Sequence, residues 1–383
     1  MSRRRDEPTL ETFKAISVEG TLLTPEMLTQ IAHLTAGEQD EASYGVPKGL
    51  GLRDEIGRYW RIALAHWQDF EKARRGANPQ AGTERFIEVL LRNAFGFGTL
   101  QRESTQVIGQ SSYPITFSAL GGRVPLAVAS CSVGLDEPDA RFGEEGRRRS
   151  AFTLMQDYLN AAEGALWGSA TDGLRLRLLR RNTSLTRPSW IEADLEAMFV
   201  GEGRFADFSV LWLLLHESRF GWAETPPSDC ALERWREKGR EEGTRARDKL
   251  RDGVEAALLS LGQGFLSHAA NTELRQALDE GALAVPVYFQ QLLRLVYRLI
   301  FLLTAEEREL LHPQSADTEA VDRYRAAYSL QRLARRSARR SAHDRHDDLW
   351  QGLKVVFRGL AKGEPLLALP ALGGLFAADQ CAV

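Results

Sequence analysis

The tripeptide Thr171-Asp172-Gly173 stands between two apolar runs, residues 165–170 and 174–179, and constrains the chain more than any other local feature. Asp-Gly favours the left-handed backbone of a two-residue hairpin loop, so the two runs are expected to pair as antiparallel strands. In the second run Leu174, Leu176 and Leu178 alternate with Arg175 and Arg177, which puts leucines on one face and arginines on the other. Upstream, Tyr113, Ile115 and Phe117 alternate with Pro114, Thr116 and Ser118 as in a half-buried strand, and residues 124–128 form a second strand candidate. A charged loop over 136–149 then leads to Ser150, a helix cap for residues up to about 162. An amphipathic helix over 83–94, ended by Gly96 and Gly98, precedes all of this. The expected order is helix, two strands, helix, hairpin.

The flanks read differently. The first 80 residues are mostly helical in pattern, with Thr24-Pro25 as a helix entry, a Gly/Pro-rich loop over 44–52, and one apolar face over 52–73. Beyond residue 188 only helices are expected: 188–199, 205–216, 232–261, 272–280, 285–311, 322–341 and 346–360. The expected class is α+β, mostly α: a small α/β unit at 81–187, an N-terminal helical arm at 1–80 and a C-terminal helical connector at 188–383.

A length of 383 residues with 43% hydrophobic and 26% charged residues leaves room for two or three domains and excludes a disordered tail or a disulfide-stapled miniprotein. Cys131, Cys230 and Cys381 match no metal spacing or disulfide framework, which fits reduced thiols in a cytoplasm. The start, MSRRRDEPTL, has no apolar run behind its arginines. The most apolar stretch, 292–303, is too short for a bilayer and contains Arg294 and Arg298, so a soluble protein without membrane partner is expected.

Helix, strand, strand, helix, strand is the layout of the PD-(D/E)xK nuclease core, in which carboxylates on two adjacent strands hold Mg²⁺. Here Tyr113-Pro114-Ile115 occupies the place of the Asp, and the second strand carries neither acid nor Lys. A hard cation needs several oxygen ligands, so no metal and no catalytic residue is expected at this place. Glu84 and Glu88 on the preceding helix read as solvent-facing, and His343, His346, Asp344, Asp347 and Asp348 as a polar connector. Gly96-Phe97-Gly98 lacks the rest of a dinucleotide fingerprint, and Pro226-Pro227, followed by Ser228-Asp229, is not the (Asp/Asn/Ser)-Pro-Pro-aromatic loop of an amino methyltransferase.

The net charge is only −3, so any attraction to a polyanion must be local. Residues 321–345 supply it, with eight arginines against Asp322 and Asp344. Arg335, Arg336, Arg339 and Arg340 suit DNA phosphates, as do Arg175 and Arg177 on the hairpin. A solvated face or an acidic partner domain accounts for the same residues.

Several collinear stretches resemble the N-terminal region of type IIG-like restriction-modification adenine-specific DNA methyltransferases of bacterial defence systems. They include Ser17-Val18-Glu19-Gly20-Thr21-Leu22-Leu23, residues 150–160 with Leu166-Trp167-Gly168, residues 172–180 with Asn182, Asp194-Leu195-Glu196-Ala197-Met198-Phe199, residues 292–307, and Leu369-Pro370-Ala371-Leu372-Gly373-Gly374-Leu375-Phe376. The resemblance implies a PD-(D/E)xK-like domain with a degenerate site, a helical connector, and then a methyltransferase domain that binds S-adenosylmethionine. That last domain has no counterpart in this sequence, so no cofactor is expected in this chain. Three functions follow from the resemblance and the residues together: a non-catalytic segment that contacts DNA or a separately encoded methyltransferase, a metal-dependent DNA endonuclease using Asp136, Glu137 or Asp139, and a pure protein-interaction module of a defence complex.

Overall fold

Strands that are buried along their whole length need cover on both faces, and two of them organise this protein. The computed structural model describes residues 13–144, 147–182, 189–200, 204–339 and 346–377. The strands are β1 (Ile16–Glu19), β2 (Gln101–Arg102), β3 (Gln106–Ile108), β4 (Ser111–Tyr113), β5 (Phe117–Ala119), β6 (Val124–Val128), β7 (Asp139–Glu144), β8 (Arg147–Arg149), β9 (Trp167–Thr171), β10 (Arg175–Arg180) and β11 (Trp190–Asp194). Seven of them form one mixed sheet in the order β1-β11-β10-β9-β6-β5-β2, and β3-β4 and β7-β8 are separate hairpins. Within the large sheet β6 and β9 run parallel and every other neighbouring pair is antiparallel.

Compact packing divides the chain into two units, Met1–Arg245 and Ala246–Val383. The first holds α1 (Pro25–Ala32), α2 (Leu52–Ala73), α3 (Pro79–Ala94), α4 (Ala151–Ala161), α5 (Leu195–Phe199) and α6 (Phe205–Leu215), and the division falls within α7 (Ala231–Ser267). A parallel strand pair cannot be joined by a tight turn, and α4 lies on the crossover from β6 to β9. Ser150 starts α4 by accepting a hydrogen bond from the Thr153 amide. Leu154, Met155 and Leu159 of α4 then cover one sheet face together with Ala127, Ala129 and Ala170. The other face, with Leu126, Val128, Leu176 and Ile191, joins the aromatic-rich core of α2, α3 and α6, where Phe70 stacks on Phe86 at 4.4 Å.

The Asp-Gly turn forms as expected. Gly173 has φ +80°, and Asp172 Oδ1 accepts from the amides of Leu174 and Arg175 at 2.9 and 2.7 Å. A Cβ at Gly173 would lie 2.8 Å from Thr83 Cγ2 and 3.0 Å from Phe70 Cζ, so both φ and the packing of α2 and α3 demand glycine.

Several expectations are corrected. The alternation 113–118 is not one strand: β4 ends at Tyr113 and β5 begins at Phe117, with Pro114, which lacks an amide donor, between them. The 136–149 loop contains the hairpin β7-β8. The segment expected as a helix over 188–199 is strand β11 followed by the one-turn α5, because Ile191 and Ala193 alternate with Trp190, Glu192 and Asp194 and have a partner on either side. One of those partners is β1, so the helical arm contributes a strand to the main sheet.

The second unit contains α8 (Thr272–Asp279), α9 (Val285–Glu307), α10 (Thr318–Ala327), α11 (Leu330–Ser337) and α12 (Asp348–Lys362), packed on Leu295, Leu302, Tyr324, Val356 and Leu360. With 23 residues, and a mean hydropathy of 1.2 over an 18-residue window, α9 is long and apolar enough, by length and composition, to cross a membrane, which the shorter 292–303 stretch is not. Its Arg298 is 5% exposed, donates to the carbonyls of Leu375 and Ala377, and stacks over Phe357 and Phe376.

Candidate nucleic-acid interface

At the end of β6 the chain brings together polar and charged side chains from α3, β2 and the β7-β8 hairpin. Thr116, just before β5, accepts from the Val128 amide through Oγ1 at 3.0 Å, and Gln80 of α3 donates to the Val128 carbonyl at 3.3 Å. Glu84, one turn further along α3, is not solvent-facing as expected: its side chain is 16% exposed and meets Arg102 at 2.6 Å and Arg141 at 3.7 Å. Arg141 also binds Asp139 at 2.6 Å, and this contact holds the Asp139 carboxyl below the usual range against the opposing effect of burial. Two carboxylates therefore converge on a guanidinium. A divalent cation would need those same oxygens, so the residues present do not fit a Mg²⁺ site of the nuclease type. Glu88 pairs with Arg92 on the helix surface.

Nothing local in the sequence announces this cluster, since β2, α3 and the β7-β8 hairpin supply one or two side chains each. Of the acids proposed for an endonuclease, Asp136 accepts from Arg177 and Asp139 from Arg141, whereas Glu137 is exposed.

Arg175 and Arg177 lie side by side with very different surroundings. The Arg177 side chain is 7% exposed, donates to Asp136 and to Glu192, and lies 4.6 Å from the Trp190 ring centroid and 5.0 Å from that of Phe152. Both of its carboxylate partners favour the charged form and outweigh the cost of burial, so its pKa is raised. The expected arginine face of β10 is thus a covered face, because α4 and the loop after β6 lie over it. Arg175 is 40% exposed on its side chain, with Asp172 at 3.9 Å and Asp136 at 4.0 Å.

The remaining arginines belong to the second unit. The single helix expected over 322–341 is broken at Tyr328-Ser329 into α10 and α11. Ser329 caps α11 through the Arg332 amide, and Glu306 accepts from the amides of Leu330 and Gln331 as well as from the Tyr324 hydroxyl. Burial raises the Tyr324 phenol, and Glu306 raises it further. With its first turn closed by these acceptors, α11 carries Arg335 and Arg336 in its last turn, where the helix dipole favours cations. Arg339 follows the helix end, whereas Arg340, like His343 and Asp344, lies outside the described residues.

The apolar residues Leu330 and Leu333 of α11 turn toward α9 and α12, and Arg332 and Arg335 border a concavity of about 620 Å³ with Arg325, Glu306, Glu307 and Glu309. Among the described residues no carboxylate pairs with Arg335, Arg336 or Arg339. Chemically, the guanidiniums of this short helix are forked donors of the kind that suit carboxylate or phosphate oxygens. No family model, curated protein or solved structure matches the chain.

Proposed function

We propose that this chain is a DNA-contacting, non-catalytic part of a restriction-modification assembly of the adenine-specific methyltransferase type, acting in defence against foreign DNA. The observation that carries the reading is the strand arrangement behind the Glu84 cluster. Strands β2, β5, β6, β9 and β10 are consecutive in space and in sequence order, apart from the β3-β4 and β7-β8 hairpins. Only β6 and β9 are parallel, α3 precedes them and α4 crosses between them. A PD-(D/E)xK core calls for this arrangement, which favours a nuclease-like scaffold over an unrelated interaction module. Arg102 and Arg141 on Glu84, in place of further acids, favour a scaffold without hydrolytic chemistry.

In this reading α11 tracks phosphates through Arg335, Arg336 and Arg339. A methyltransferase domain, on this or a separate polypeptide, would contribute the S-adenosylmethionine site, since the residues present include no Asn-Pro-Pro-aromatic loop. Fluorescence anisotropy with a labelled duplex over a salt series tests the DNA contact. The slope of log affinity against log salt is expected to shrink by about 0.9 for each phosphate contact removed in an Arg335→Ala/Arg336→Ala/Arg339→Ala variant. An unchanged slope and affinity would exclude α11 from DNA contact.

A further inference from the structure

We infer that Arg180, Arg181 and Arg236 form a binding site for a phosphoryl group on the first unit, separate from α11. A concavity of about 240 Å³ is lined by these three arginines with Thr21, Asn182 and Ser189. Pockets for drug-sized ligands run to roughly 300–1,000 Å³, so this one suits a small, highly charged group rather than a whole nucleotide.

The arginines are held in place by the fold. Arg180 ends β10 and forks onto Glu233 of α7, Nε to Oε2 at 2.8 Å and Nη2 to Oε1 at 2.6 Å. Arg181 donates to the carbonyls of Leu159, Ala162, Glu163 and Ala165 at the end of α4. Those carbonyls engage its Nε and Nη2 but leave its charge uncancelled. Arg236, one turn along α7, reaches Glu233 only at 3.4 Å.

Arg180 and Arg236 thus share Glu233, while Arg181 meets no carboxylate among the described residues. The next acid on α7, Glu237, is hydrogen-bonded to Arg240 and feels Arg236 and Arg180 only through space. Among the described residues Arg181 Nη1 and the Nε and Nη2 of Arg236 carry no hydrogen bond, which leaves donors for an incoming oxygen. The side chains of Arg180 and Arg236 are 22% and 27% exposed, so solvent screens this excess charge only in part. Phosphate matches the arrangement: it brings about two negative charges and oxygens that accept from forked donors. Thr21 and Ser189 add hydroxyl donors at the rim. Groups already immobilised by the fold lose little further freedom on binding.

Inorganic phosphate is the probe, titrated calorimetrically into the full chain, with sulfate and chloride matched for ionic strength as controls. Saturable phosphate binding is expected, weakened about tenfold in Arg236→Gln and less in Arg236→Lys, which keeps the charge but loses the fork. Circular dichroism of both variants verifies folding. The Arg335→Ala/Arg336→Ala/Arg339→Ala variant is expected to bind phosphate as the parent does, which separates this site from the DNA reading of α11. Absence of saturable binding, or equal binding in Arg236→Gln, overturns the assignment. A short duplex that competes with phosphate would identify the occupant as a DNA backbone phosphate, and one that does not compete would identify it as a free phosphate or phosphorylated small molecule.

Discussion

The guanidinium of Arg177 bonds both oxygens of Asp136, Nη1 to Oδ1 at 2.5 Å and Nη2 to Oδ2 at 2.8 Å, and so ties an interior strand to the loop that leaves β6. Its Nε meets Glu192 on β11 at 2.5 Å. Removing one member of a buried ionic set leaves the others uncompensated, which typically costs about 3–5 kcal/mol. Because Asp136 is half exposed, the lower part of that range is expected for Arg177→Met, seen as a reduced urea midpoint. A loss under about 1 kcal/mol would show that water satisfies Glu192.

Gly173→Ala is expected to lose about 2 kcal/mol or more in the same measurement, since it combines an unfavourable φ with a clash against Thr83 and Phe70. The reverse finding, a neutral or stabilising alanine, would mean that α2 and α3 yield easily at this turn.

Stability at mild acidity should depend on His216. Burial first, and the neighbouring Arg219 second, lower its pKa from 6.5 to about 4. A base depressed in the folded state contributes stability that is fully present above pH 6.5 and is lost as pH falls toward 4, because the unfolded chain takes up the proton earlier. The linked loss by pH 4 is about 3 kcal/mol. Comparing urea midpoints at pH 7 and pH 4.5 checks this, with His216→Gln expected to show a shallower decline than the parent protein.

Plasmid incubated with the full chain and Mg²⁺ or Mn²⁺ is expected to remain intact, because Glu84 and Asp139 are held by arginines and Asp136 by Arg177. Asp136→Ala should lower stability through Arg177 without any change in plasmid integrity. Cleavage that disappears in Asp136→Ala or Asp139→Ala would instead establish an endonuclease.

Elements with strong local signals were legible from residue order alone. The helix over 52–73, the Ser150 cap, strand 124–128 and the Asp172-Gly173 hairpin all form where periodicity and turn chemistry place them. Strands β1 and β11 were not, since a four- or five-residue strand at the edge of a pattern resembles a helix turn until a partner fixes its register. The break between α10 and α11 was hidden for a related reason: beside the local Ser329 cap, Glu306 accepts from the first amides of α11 only once α9 brings it alongside.

The candidate site divides in the same way. Local sequence by itself determined that the second strand of the α/β unit lacks acids, that a tight Asp-Gly hairpin follows α4, and that arginines concentrate near residues 321–345, because composition, alternation and turn preference are properties of neighbouring residues. Only the tertiary structure decided that Arg177 is enclosed by Asp136, Glu192 and Trp190, that Glu84 faces Arg102 and Arg141, and that Arg180, Arg181 and Arg236 surround one concavity. The charge of an arginine is written in the chain, but whether it meets solvent, a carboxylate or a ligand depends on groups that folding brings from distant segments, and burial then sets the strength of each encounter.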